Sequence, residues 1–130
     1  MSIRSARRIA GAVVAMGLLG AAQGDPLARV ARGSWSVRDL GASSAPVAMC
    51  IADPRMLLQL GHRGATACTR STLDAGTDST TVRYTCPGAG YGRTELRVES
   101  EDRVRIHTQG LRNGAPFDVD YDARRIGTCG

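Results

Sequence analysis

The stretch from Thr94 to Asp122 constrains the fold of this 130-residue chain most, because it alternates apolar and polar residues through two turn signals. Thr94, Leu96 and Val98 alternate with Glu95, Arg97 and Glu99, and Val104 and Ile106 alternate with Arg103, Arg105 and His107. A period of two sends successive side chains to opposite sides of the backbone, so both runs read as half-buried strands. The acidic turn Ser100-Glu101-Asp102 joins them, and pairing Val98 with Val104 places Leu96 opposite Ile106 on the buried face. Asn113-Gly114 is a strong hairpin signal, since both residues tolerate the positive φ that a type I′ turn requires. If Arg112 pairs with Ala115, Ile106 meets Tyr121 and Thr108 meets Val119 on one face, while Arg105 meets Asp122 and His107 meets Asp120 on the other. A one-residue slip would lose both the apolar and the ionic matches.

Upstream, Gly33 to Leu40 alternates in the same way, with Trp35, Val37 and Asp39 sharing a face. Gly41 to Pro46 reads as a turn and Val47 to Ile51 as a second strand. Asp53-Pro54 opens one short helix, because Asp caps an N-terminus and Pro is tolerated at the first helical position. Met56, Leu57, Leu58 and Leu60 follow, with Gly61 as a stop. Ala67 to Leu73 and Thr80 to Cys86 flank a turn and form a hairpin, after which Pro87 to Gly92 reads as a glycine-rich loop carrying Tyr91. The expected fold is mainly β: an antiparallel meander sheet, curled or forming a partial barrel, with one short helix and two disulfides.

The N-terminus carries Arg4, Arg7 and Arg8 before an uncharged stretch from Ile9 to Ala22, the layout of a signal peptide. The expected organisation is a leader at 1–22, cleaved after 22 or 24, a flexible lead-in at 23–32, and one disulfide-stapled domain at 33–130. The apolar run is shorter than the roughly 20 residues that span a bilayer, so no membrane segment is expected after cleavage. All seventeen basic residues are Arg, and the net charge of +5 includes three in the leader. The remaining fourteen face twelve acids, interleaved along the chain, which argues against the concentrated basic stripe of a nucleic-acid binder.

Cys50, Cys68, Cys86 and Cys129 permit three pairings, and a small core in an oxidising compartment gains from them. Cys50 to Cys68 would bracket the helix, Cys86 to Cys129 would tie the C-terminal end to the middle of the sheet, and Cys68 to Cys86 would cross the hairpin. No CxxC spacing suggests a metal or a redox centre.

Gly33-Ser34-Trp35-Ser36-Val37, the four cysteines, and the terminal Arg124-Arg125-Ile126-Gly127-Thr128-Cys129 resemble the domain of unknown function 3617 family. Its members are small exported proteins of Gram-negative bacteria. The resemblance implies a periplasmic or secreted address and a Cys50–Cys68, Cys86–Cys129 connectivity, and it implies no particular activity.

Three features could carry chemistry. Asp118, Asp120 and Asp122 project from one face of one strand, which reads as a solvated face neutralised by Arg97, Arg103 and Arg105. His107 with Asp120 has the form of a general base and its orienting acid, yet no nucleophile stands in a recognisable motif, so the pair reads as cross-strand surface chemistry. Tyr91 on its glycine-rich loop is the candidate interaction element, and His62 beside Arg63 reads as solvated. No catalytic, cofactor or metal residues are expected. The functional expectation is a non-enzymatic binding or envelope-associated domain, its partner a protein or a small apolar ligand. The alternatives are an inhibitor of an envelope enzyme such as lysozyme, on a faint similarity around Arg83-Tyr84-Thr85-Cys86, and an envelope hydrolase.

Overall fold

The hairpin about Asn113-Gly114 forms in the expected register. In the computed structural model, which describes Gly17 and residues 24–130, Arg112 pairs with Ala115, Ile106 with Tyr121, His107 with Asp120 and Arg105 with Asp122. Asn113 has φ +51 and Gly114 φ +80, as the two central residues of such a turn require. The preceding hairpin likewise pairs Val98 with Val104 and Leu96 with Ile106. The leader read from residues 1–22 lies outside the described residues but for Gly17.

Seven strands result: β1 Gly33–Asp39, β2 Val47–Ile51, β3 Thr69–Ala75, β4 Ser79–Cys86, β5 Gly90–Ser100, β6 Arg103–Arg112 and β7 Ala115–Gly127. They form one sheet in the order β2-β1-β7-β6-β5-β4-β3, antiparallel throughout. Five strands run as a meander from β3 to β7, and β1 then pairs with β7. The sheet does not close into a barrel: β2 and β3 are its two edges.

Alternation decides which face is buried. Trp35, Val37, Val82, Leu96, Val98, Val104, Ile106 and Ala123 point to one side and are buried there under two 3₁₀ segments. The longer segment, Pro54–His62, is the expected helix, tightened to 3₁₀ geometry and broken at Gln59; the Asp53 carboxylate accepts from the Arg55 N–H at 3.0 Å. Leu57, Leu58 and Leu60 from this segment are at most 3% exposed. Fully burying side chains of this size contributes about 1.5–3 kcal/mol each.

The lead-in is a correction. Pro26–Arg29 forms a second 3₁₀ turn capped by Asp25, and Leu27 and Val30 belong to the core. The Trp35 indole donates to the Ala31 carbonyl at 3.0 Å, and the Ala31 N–H donates to Glu101 O at 2.9 Å. A segment with too few residues to show a period is thus held by two apolar anchors, Leu27 and Val30, and its own cap.

The disulfides are a second correction. The bonds are Cys50–Cys129 and Cys68–Cys86, not the connectivity implied by the family resemblance. Topology supplies the reason. Cys50 sits on β2 and Cys68 precedes β3, the two opposite edges of the sheet, so joining them would require spanning all seven strands. The Thr69–Thr85 pairing instead sets Cys68 beside Cys86, and β1 brings both Cys50 and Gly127 alongside Ser34, within reach of Cys129.

Candidate functional site

The alternation that buries one face of the sheet lays out the other as cross-strand rows. Thr81, Glu95, His107 and Asp120 form one row over β4 to β7, and Ser79, Arg97, Arg105 and Asp122 form the next. Asp122 anchors the second. It is only 4% exposed although it lies on this outer face, because arginine side chains close over it. Arg103 Nε and Arg124 Nε each stand 3.2 Å from its carboxylate, and Arg105 Nε stands at 3.6 Å. Glu99 ties Arg103 and Arg105 into the same network. Burial pushes the Asp122 carboxyl up, but the hydrogen bonds from Arg103 and Arg124 and their charges outweigh it and hold it below the usual carboxylate range.

His107 Nδ1 donates to the Asp120 carboxylate at 2.9 Å, and its Nε2 faces Asp118 at 3.5 Å. The three side chains are exposed or half-exposed and line a shallow concavity of about 680 Å³ with Glu95, Arg97 and Arg105. Arg105 meets Asp122 and His107 meets Asp120 as the register implies, but the expected solvated face is a correction for Asp122, which Arg103, Arg105 and Arg124 bury while Asp118 and Asp120 stay exposed.

Tyr91 is placed differently from expectation. Pro87 and Gly88 occupy the centre of a tight turn in which the Ala89 N–H donates to Cys86 O at 2.9 Å, with Gly88 at φ +80. Pro at the second position and a positive-φ Gly at the third make this a type II turn, so strand β5 begins at Gly90 and Tyr91 belongs to the sheet. It is 49% exposed on the outer face, in a row that runs Thr85, Tyr91, Leu111 and Pro116. The adjacent row is Arg83, Arg93, Gln109 and Asp118. A second concavity of about 670 Å³ lies over these two rows.

His62 is the third correction: it is buried, at 4% exposure. Its Nε2 faces two carbonyl oxygens, Ala89 O at 3.1 Å and Leu111 O at 2.9 Å, and its Nδ1 faces the Tyr84 hydroxyl at 2.8 Å. Carbonyls only accept, so Nε2 carries a proton, while Nδ1 shares a hydrogen bond with the Tyr84 hydroxyl. The inner-face row explains the fit. Tyr84, Gly92, Gly110 and Phe117 stand side by side on β4 to β7. The Tyr84 ring lies over Gly92, and the His62 ring packs against Gly90, edge-on to Tyr84 at 5.3 Å and to Phe117 at 5.5 Å. Arg112 closes the assembly by stacking on Phe117 and donating to Gly61 O at 3.0 Å. Burial pushes the Tyr84 hydroxyl above its ordinary pKa, which keeps it protonated. The sequence signal for this cluster is Gly92 and Gly110, glycines inside otherwise alternating strands, which mark a close approach by another group.

All four cysteine sulfurs are in disulfides, leaving no free thiol. Among the described residues no helix is long and apolar enough to cross a membrane, and no group of three or more His, Cys, Asp or Glu side chains is arranged to hold a metal ion. A scan against protein-family models finds no matching family, and searches of the curated proteins and the solved structures find no match.

Proposed function

We propose that the chain is a non-enzymatic binding domain of the periplasm or the secreted space that recognises its partner through the outer face of β4 to β7. One observation carries this reading. The two 3₁₀ segments cover the inner face, while the outer face holds two adjoining concavities in which exposed aromatic, aliphatic and charged side chains are set on rigid strands. Binding residues held by a paired sheet are positioned without an ordering cost, which favours recognition.

The address rests on the two disulfides, which persist in oxidising compartments, together with the charged and apolar layout of residues 1–22. Membership of the domain of unknown function 3617 family rests on the residues at Gly33–Val37 and Arg124–Cys129 alone. His107 favours a binding role over a hydrolytic one, because a general base needs one ring nitrogen free for substrate and here both face carboxylates. An inhibitor that acts through a protruding loop is disfavoured by the tightness of the Cys86–Ala89 turn, which withdraws Tyr91 into β5.

Native mass spectrometry of protein purified from the periplasm tests the reading. The expected result is a retained mass, small or protein, that Tyr91→Ala or His107→Ala displaces. A bare mass under gentle ionisation, with no co-purifying partner, would count against it.

A further inference from the structure

The two rows beneath the second concavity differ in chemistry, and the difference specifies a ligand. Tyr91 and Leu111, joined by Pro116, make a continuous apolar strip across β5, β6 and β7. Two strand intervals of about 4.8 Å make that strip roughly 10 Å long, about the reach of an eight-carbon chain. Beside its β5 end, Arg83 and Arg93 lie directly opposite one another on β4 and β5, both exposed. Like charges at opposed positions repel. Elsewhere on this face such an opposition is relieved: Arg105, opposite Arg97, reaches both Glu99 and Asp122. Among the described residues neither Arg83 nor Arg93 has a carboxylate within 4 Å. The acid at the far end of their row, Asp118, lies two strands away and faces His107.

We infer that this concavity binds a single-chain fatty carboxylate, its head between the Arg83 and Arg93 guanidinium groups and its chain along Tyr91, Leu111 and Pro116. The inference rests on the binding-domain reading and deepens it. An anion between the arginines removes their mutual repulsion and accepts charge-assisted hydrogen bonds from their planar forks. The apolar strip shields the chain from water on one side only, so binding is modest. For a ligand of this size the dissociation constant falls at about 10⁻⁴ to 10⁻³ M.

The test titrates octanoate into the protein and follows backbone amide shifts. Saturable shifts should concentrate at Tyr91, Arg93, Gln109 and Leu111. Arg83→Gln and Arg93→Gln should each weaken binding about fivefold, as should Tyr91→Ala, whereas Ile126→Ala, exposed near the far end of β7 and outside both concavities, should not. Octanol, lacking the charge, and acetate, lacking the chain, should both bind more weakly than octanoate. The proposal is overturned by any of three results: no saturation by about 10 mM octanoate, shifts confined to other parts of the molecule, or affinity indifferent to both arginine substitutions. It also fails if vesicles of phosphatidylglycerol or a hexaglutamate peptide bind through Arg83 and Arg93 while octanoate does not. If octanoate fails but native mass spectrometry still shows a retained mass lost on substitution of the outer face, the ligand class is wrong and the binding reading survives. If both fail, both are wrong.

Discussion

Asp122 and Tyr84 show how single polar residues are committed in this domain. Asp122 gains its value from three arginines, and its lowered pKa makes that value dependent on pH. A carboxyl whose folded pKa lies below its unfolded value of about 3.9 stabilises the fold above that pH, and the contribution is lost as pH falls through the folded pKa. Asp122→Asn should therefore lower stability by about 1–3 kcal/mol at neutral pH. The gap between variant and wild type in urea unfolding should narrow as pH drops below about 4; a gap independent of pH would show that the network is not ionic. Tyr84→Phe removes the hydroxyl bonded to His62 Nδ1 and leaves a buried polar atom unpaired, at a cost of about 1–3 kcal/mol measurable in the same way. The pairing of Asp122 with Arg105 was visible in the sequence, from strand alternation and the hairpin register, but its burial and the part played by Arg124 were not. The role of His62 was not visible either, because its partners are carbonyls of Ala89 and Leu111, and backbone groups leave no trace in residue type.

At the scale of elements, glycines inside the strands set how closely β4, β5 and β6 pack. A Cβ added at Gly110 would collide with the Tyr91 carbonyl of the neighbouring strand, and one at Gly92 would collide with the Tyr84 ring. Backbone cannot rotate aside as a side chain can, so Gly110→Ala should be the more damaging, destabilising by about 1–3 kcal/mol or more. Thermal unfolding of the two alanine variants decides the order, and equal melting temperatures would count against the packing argument. The strands themselves were readable because the period of two is strong from Thr94 to Asp122 and the Asn113-Gly114 turn sets one register. The Pro87–Gly92 region was readable as a turn but not as a short one. Recognising Pro-Gly as the centre of a type II turn would have started β5 at Gly90, placed Tyr91 on the sheet and exposed the Arg83–Arg93 opposition by counting outward from Cys86 and Gly90.

For the molecule as a whole, the two disulfides act on different ranges of the chain. Cys68–Cys86 joins residues 18 apart within one hairpin, whereas Cys50–Cys129 joins residues 79 apart and fastens the edge strand β2 to the segment after β7. Connectivity was not legible because pairing depends on which strands become edges. That follows from β1 pairing with β7 as well as with β2, which leaves β2 at one edge of the sheet and β3 at the other. Loop-closure entropy gives about 3 kcal/mol for the short link and about 4.5 kcal/mol for the long one. Cys50→Ala with Cys129→Ala should accordingly lower the melting temperature more than Cys68→Ala with Cys86→Ala. The geometry sharpens the expectation, since β2 pairs with β1 alone and four of its five residues are at least partly exposed. Hydrogen exchange on the Cys50/Cys129 variant should show lost protection first at Val47–Ile51 and then along β1, while β5 and β6 keep theirs. Uniform loss across all seven strands would mean instead that the bond acts on the unfolded chain alone and that the edge needs no fastening in the folded protein.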